Sequence, residues 1–137
     1  MGSPYAQYRE MQVQTASPEQ LVLMLYDGAL RFCNAARVAM EKQDYEAAHN
    51  QITRAQDVIY ELMAGLNPEA GEIADHLFRL YEYFTFRLIQ ANLRRDPQPI
   101  MEVMNLVDDL RGAWAQAMVS LRPAAQPVAS RMAQATV

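Results

Sequence analysis

The sequence predicts an all-α protein folded as an antiparallel four-helix bundle. Apolar residues recur at helical spacing in four long segments, and no segment alternates apolar and polar residues as a half-buried strand does. Four of the seven prolines and two of the five glycines fall at or between the ends of these segments. Because the connecting loops are short, consecutive helices are expected to lie antiparallel. The 137 residues suit one domain, and the 51% of apolar residues is ample for a single core.

The first helix is predicted to begin after Ser17 and to run to about Lys42. Ser17 is a favourable N-cap, Pro18 suits the first helical position, and the Gln20 side chain can close a capping box. The predicted apolar face of this helix consists of Leu21, Leu25, Phe32, Ala36 and Ala39.

The second helix is predicted to begin near Asp44, a suitable cap, and to end at Gly65. Gly65 followed by Leu66 resembles a Schellman ending, in which the glycine is left-handed. The predicted apolar face consists of Tyr45, Ala48, Ile52, Ala55, Ile59, Leu62 and Met63.

The third helix is predicted over residues 72–94 and the fourth over residues 100–121, because two prolines between them interrupt the helical pattern. The main apolar face of the third helix consists of Ile73, Leu77, Leu80, Tyr81, Phe84, Leu88 and Ala91. The corresponding face of the fourth consists of Ile100, Val103, Val107, Leu110, Trp114, Ala117 and Leu121.

The chain therefore divides into three parts. Residues 17–121 form the bundle, and residues 1–16 form an aperiodic segment that is predicted to be mobile and to cover a groove on the bundle. Residues 122–137 have no apolar stripe and are predicted to be a disordered tail.

Charge and targeting features exclude several classes of function. The formal net charge is −4 and no basic stripe is present, which argues against a nucleic-acid partner. No run approaches the ~18 apolar residues of a membrane span, so direct membrane insertion is not expected. The single cysteine, Cys33, and the lack of a signal-peptide pattern favour the cytoplasm.

Catalytic and metal-binding patterns are also missing, so neither enzymatic activity nor a cofactor is expected. Glu46 and His49 have the spacing of a carboxylate di-iron motif, but the motif occurs only once. His76 leaves one alternative open, a four-helix phosphotransfer domain. His76 is followed by Leu-Phe-Arg-Leu, however, whereas the histidine of such domains is typically followed by the pattern x-x-Lys-Gly.

Two helices carry more apolar residues than a single core face needs. On the first helix these are Leu23, Tyr26 and Leu30, and on the third they are Phe86, Ile89 and Leu93. Either these helices are more deeply buried, or the residues line a groove for an amphipathic partner helix. Asn92 lies on the mostly apolar face of the third helix, where it could bond an incoming backbone or cap a neighbouring loop.

Ordered blocks of sequence resemble the flagellar secretion chaperone FliS family. Residues 15–21 read Thr-Ala-Ser-Pro-Glu-Gln-Leu, and residues 24–29 read Met-Leu-Tyr-Asp-Gly-Ala. Residues 71–74, 80–83 and 90–92 (Gly-Glu-Ile-Ala, Leu-Tyr-Glu-Tyr and Gln-Ala-Asn) continue the resemblance at family-like spacing. In the block of residues 80–83, many members of the family have Asp where this chain has Glu82.

The resemblance implies an antiparallel helical bundle that binds the disordered C-terminal segment of flagellin and so prevents premature filament assembly in the cytoplasm. It also implies that the complex docks on the cytoplasmic domain of the export gate of the flagellar type III secretion apparatus. Tyr5 and Tyr8 stand where members carry the mobile segment. They are expected to cover the groove and, once released, to contact the gate. An adaptor for another secreted protein remains an alternative, and a bared groove would favour weak self-association.

Overall fold

The computed structural model describes residues 16–136, with side chains described as far as Ser120. The elements are α1 (Pro18–Glu41), α2 (Tyr45–Ala64), a 3₁₀ turn (Pro68–Ala70), α3 (Glu72–Arg94) and α4 (Gln98–Thr136). Each helix packs on the next, and α4 also packs on α1, so α1 and α3 occupy diagonal corners. The predicted antiparallel four-helix bundle is confirmed, and no strand occurs among residues 16–136.

The starts of α1 and α2 are set by local hydrogen bonds. The Gln20 backbone N–H donates to Ser17 Oγ at 3.2 Å, and the Ser17 N–H donates to Gln20 Oε1 at 3.0 Å, which completes the predicted capping box. Asp44 caps α2 by accepting from the Ala47 N–H at 3.2 Å. Both predicted starts are confirmed, because each depends on residues within one turn.

The prediction of a left-handed ending at Gly65 is wrong. Gly65 is right-handed, with φ −83°, and α2 closes through a tighter bond from the Leu66 N–H to the Met63 carbonyl. Left-handed residues instead follow α1 and α3, where Gln43 has φ 62° and Arg95 has φ 53°. The Arg95 guanidinium lies 4.4 Å from the ring centre of Tyr45, a cation–π contact between the end of α3 and the start of α2.

The core face of α1 is rotated from the predicted one. Its buried side chains are Tyr26, Ala29, Cys33, Ala36 and Met40, whereas four of the five predicted residues are only partly buried. Three members of the buried face are small, which allows the backbones of α1 and α2 to approach closely. A Cβ added at Gly28 would be in ordinary van der Waals contact with Val58 Cγ2 on α2, at 3.8 Å.

One polar contact crosses the centre of the bundle. Tyr26 of α1 and Tyr81 of α3 are each 2% exposed, and their hydroxyl oxygens are 2.7 Å apart in a hydrogen bond. Burial raises the pKa of both hydroxyls, so both are neutral and each satisfies the other. Among the described side chains, no buried nitrogen or oxygen lacks a partner.

Helix α4 is joined to both of its neighbours by polar contacts. Arg111 pairs with Asp27 of α1, and the Trp114 indole N–H donates to the Glu19 carbonyl at 2.9 Å. On the other side, Glu102 accepts from the Arg87 guanidinium at 2.7 Å. The hydrogen bond from Arg87 lowers the pKa of Glu102, although the pair is too exposed to add much stability.

The helical backbone of α4 extends beyond the predicted bounds. It begins two residues early, where Asp96 Oδ1 accepts from the Gln98 N–H at 2.9 Å. At the other end it continues from residue 122 to Thr136, where the sequence analysis places an irregular tail. This stretch contains five alanines, which favour helix, and two prolines, Pro123 and Pro127, which disfavour it.

Candidate protein-binding surface

An apolar stripe runs along the outer face of α3. It consists of Phe78, Phe86, Ile89 and Leu93, which we call the α3 stripe. Their side chains are 43%, 54%, 45% and 79% exposed. Spacings of eight, eleven and fifteen residues from the first member place all four on one side of the helix. Exposed apolar surface at this density is typical of a protein-interaction site.

The α3 stripe is exposed because the opposite side of the helix supplies the core. Tyr81, Phe84 and Leu88 are buried there, while α2 and α4 flank the helix on either side. No described element packs over the outer face. The sequence-predicted candidates Phe86, Ile89 and Leu93 are therefore brought together, and Phe78 extends them by about two turns.

Asn92 is engaged within the bundle. Its side-chain amide nitrogen lies 2.7 Å from Nδ1 of His49 on α2, at hydrogen-bond distance. This contact ties α2 to α3 beside the α3 stripe. A second amide N–H and the carbonyl oxygen of Asn92 do not take part in it, so the two roles considered from the sequence, bonding an incoming backbone and capping a loop, both stay predictions.

The α1 candidates lie elsewhere. Tyr26 is 2% exposed on the rotated core face of α1, and it lines the cavity described in the next paragraph rather than an open groove. Leu30 is partly buried and packs against the core, and Leu23 is partly buried. Since α1 and α3 are diagonal, Leu23 and Leu30 do not share a groove with the α3 stripe.

A second apolar feature was not predicted. A cavity of about 270 Å³, which we call the end pocket, lies where α1 begins, α2 ends and α3 begins, with Trp114 of α4 as one wall. Ile73 was assigned to the core face of α3, but its side chain is 63% exposed at this pocket. No core side chain fills the space, so the apolar face of α3 remains open there.

The predicted cover residues, Tyr5 and Tyr8, lie outside the described residues. Ser17 caps α1, and Val22 and Leu25 in the next two turns line the end pocket. The described residues therefore begin, at Ala16, at the same end of the bundle as the pocket.

Comparison with known proteins decides the family. The family model described as flagellar protein FliS matches residues 1–121. The chain belongs to the FliS family. It is 39% identical over 120 residues to the flagellar secretion chaperone FliS of Bacillus subtilis (strain 168), an alignment that covers 88% of this chain and 90% of the relative. It is 44% identical over 115 residues to the Salmonella typhimurium FliS, with 82% and 85% covered.

A solved structure supports the fold. The crystal structure of a bacterial flagellar chaperone superposes with a TM-score of 0.72 at 18% identity, covering 85% of this chain and 97% of the other. FliS is a chaperone family and not a known class of enzymes. Among the described residues no cluster of metal-ligating side chains occurs, and no helix there is apolar enough to cross a membrane.

Proposed function

We propose that this FliS family member holds the C-terminal segment of flagellin in the cytoplasm, prevents its premature polymerisation and delivers it to the cytoplasmic domain of the flagellar export gate. Family membership supports a role in flagellar export. The observation that carries the binding step is the exposed α3 stripe. Titration of the protein with a synthetic peptide of the flagellin C-terminal segment tests the proposal.

The α3 stripe suits a segment that folds on binding. Phe78 and Leu93 are fifteen residues apart, which on a helix is about 22 Å, or four turns. A client helix with apolar residues at every third or fourth position can lie along this length. A disordered segment cannot bury enough apolar surface by itself, and the α3 stripe supplies the missing surface.

The separation of the apolar features favours a client that follows an extended path. The α3 stripe lies at one corner of the bundle, Leu23 and Leu30 lie on the diagonal helix, and the end pocket lies between them at one end. One compact helix cannot touch all three. A wrapped client can, and part of its binding free energy is then spent on ordering, which keeps the complex releasable.

Residues 1–16 form a displaceable cover in this proposal. Tyr5, Tyr8, Met11 and Val13 supply apolar anchors in a segment too short to form a stable isolated helix. Such a segment docks weakly and leaves easily. While docked, it lowers the apparent affinity for the client by the fraction of time that it occupies the site.

Removal of residues 1–12 is expected to preserve or strengthen binding of an isolated flagellin peptide, because the competing segment is gone. Self-association through the bared surface is also expected, and it would appear as concentration-dependent sedimentation. Calorimetric titration of the truncated and full chains measures the difference in affinity. Loss of peptide binding on truncation would show that the segment belongs to the binding surface.

Tyr5 and Tyr8 have a second proposed role, since a cover released by the client is free to contact the export gate. Replacing both by Ala is expected to reduce flagellin secretion more than it reduces peptide binding. Secretion assays and calorimetry on the same variant separate the two effects. Equal losses in both assays would contradict a separate role at the gate.

A further inference from the structure

The hydrogen bond between His49 and Asn92 has a direction that is set by chemistry. Nδ2 of Asn92 lies 2.7 Å from Nδ1 of His49. An amide nitrogen only donates, so Nδ1 accepts, and the imidazole is neutral with its proton on Nε2. The carbonyl oxygen of Asn92 is then turned away from the ring and is available to accept another N–H.

Asn92 is well placed to act on a segment bound along the α3 stripe. Its side chain is half-buried, it precedes Leu93 directly, and it lies one turn after Ile89. Leu93 and Ile89 both belong to the stripe. A client helix brings backbone N–H groups that have no intrahelical partner in its first turn, and an acceptor beside the stripe can receive one of them.

The other charged or titratable groups on the elements packed around this pair keep their charge near neutral pH. They are Tyr45 and Glu46 on α2, Arg95 and Asp96 at the end of α3, and Glu41, Lys42 and Asp44 where α1 turns into α2. Arg95 lies over the Tyr45 ring, and the two aspartates accept backbone N–H groups at helix starts. Histidine is the residue type here that ordinarily changes charge between pH 5 and 8.

We propose that protonation of His49 reverses the side-chain amide of Asn92. A proton on Nδ1 turns that atom into a donor, which leaves the facing amide nitrogen without an acceptor. A half-turn of the amide brings the carbonyl oxygen to Nδ1 and the NH₂ group outward, with no movement of the backbone. The group presented beside the α3 stripe thus changes from an acceptor to a donor.

The consequence for binding rests on the proposed function. A client N–H is accepted by Asn92 only while His49 is neutral, so the affinity for the client falls on acidification. The reversal itself belongs to the free chain and is tested there without any client.

NMR of the full chain at about pH 8 and about pH 5.5 tests the reversal. At the higher pH, the nitrogen shifts of His49 are expected to show the Nε2–H tautomer, with a nuclear Overhauser effect between the Asn92 NH₂ and the ring proton Hε1. At the lower pH, this effect is expected to disappear. Its persistence while the His49 ring titrates would overturn the inference.

Calorimetric titration with a blocked, histidine-free flagellin C-terminal peptide tests the consequence. The wild type is expected to bind about five-fold more weakly at the lower pH, as loss of one hydrogen bond implies. The chain has two histidines, so His76→Gln is the matched control and should keep the difference, whereas His49→Gln should abolish it. A difference that survives in His49→Gln, or vanishes in His76→Gln, would overturn the inference.

Asn92→Ala separates the amide from the charge, because it removes the amide and leaves His49 able to titrate. This variant is expected to bind equally at both pH values, at the level of the wild type at the lower pH. A five-fold difference that persists in it would assign the effect to the charge of His49 and overturn the inference. A peptide that binds at neither pH would contradict the proposed function, and the NMR of the free chain would still decide whether the amide reverses.

Discussion

Replacing Phe86 and Leu93 together by Ser is expected to weaken binding of the flagellin C-terminal peptide about 100-fold. Burial of each side chain against a client contributes about 1.5–3 kcal/mol to the free energy of binding, and each 1.4 kcal/mol corresponds to a factor of ten in affinity. The side chains are 54% and 79% exposed in the free protein, so their loss removes little core packing. The thermal midpoint is expected to move by only a few degrees.

A matched control separates the α3 stripe from general surface hydrophobicity. Met101 and Val119 are also exposed apolar residues, 40% and 64%, but both lie on α4. Met101→Ser/Val119→Ser is expected to bind the peptide normally. Normal binding by the α3 double variant would place the client elsewhere, and unfolding of that variant would assign Phe86 and Leu93 to the structural core.

Replacing Tyr26 by Phe is expected to lower the free energy of unfolding by about 1–3 kcal/mol, because the Tyr81 hydroxyl then loses its buried partner. Tyr81→Phe should cost a similar amount for the reciprocal reason. The double variant removes both hydroxyls and should recover most of the loss. Denaturant unfolding of the wild type and the three variants closes this double-mutant cycle.

The stability that the Tyr26–Tyr81 pair contributes is expected to depend on pH. Burial raises the pKa of both hydroxyls, so the stability they contribute is fully present below the ordinary tyrosine pKa of about 10 and is lost as pH rises above it. The double Phe variant should lose less stability than the wild type over that alkaline range. Additive single-variant costs and an unchanged alkaline profile would show that the two hydroxyls act independently.

The parts of the fold that the sequence predicts well are local. The capping box at Ser17 and the cap at Asp44 involve residues three positions apart, so the pattern itself contains the interaction. The bounds of α3 are those predicted, because a glycine precedes it and a proline-rich turn follows it. Four periodic segments joined by short loops then leave few arrangements other than the antiparallel bundle.

The orientation of α1 could not be predicted because its first half is apolar on more than one side. Residues 21–26 read Leu-Val-Leu-Met-Leu-Tyr, and a helical wheel gives no reason to choose among their faces. The choice depends on Ala29, Cys33 and Ala36, whose small size lets α2 approach. A pattern based on large apolar residues passes over them and places Tyr26 at the surface.

The candidate surfaces also divide into features that local sequence predicts and features that depend on how the helices pack. Phe86, Ile89 and Leu93 share a face of one helix, so their proximity follows from spacing alone. Whether that face meets Leu23 and Leu30 depends on the positions of α1 and α3 in the bundle, which no local pattern contains. The end pocket is space that side chains leave unfilled, and unfilled space has no sequence signature.

The central claim is that the bundle supplies a surface on which a disordered flagellin segment folds. Calorimetric titration of the full chain with a flagellin C-terminal peptide, followed by far-UV circular dichroism of the mixture, tests it most directly. We expect saturable one-to-one binding and a mixture with more helix than the sum of its parts, while a peptide of scrambled sequence remains inert. Absence of binding, equal binding of the scrambled peptide, or binding without a gain of helix would contradict the account.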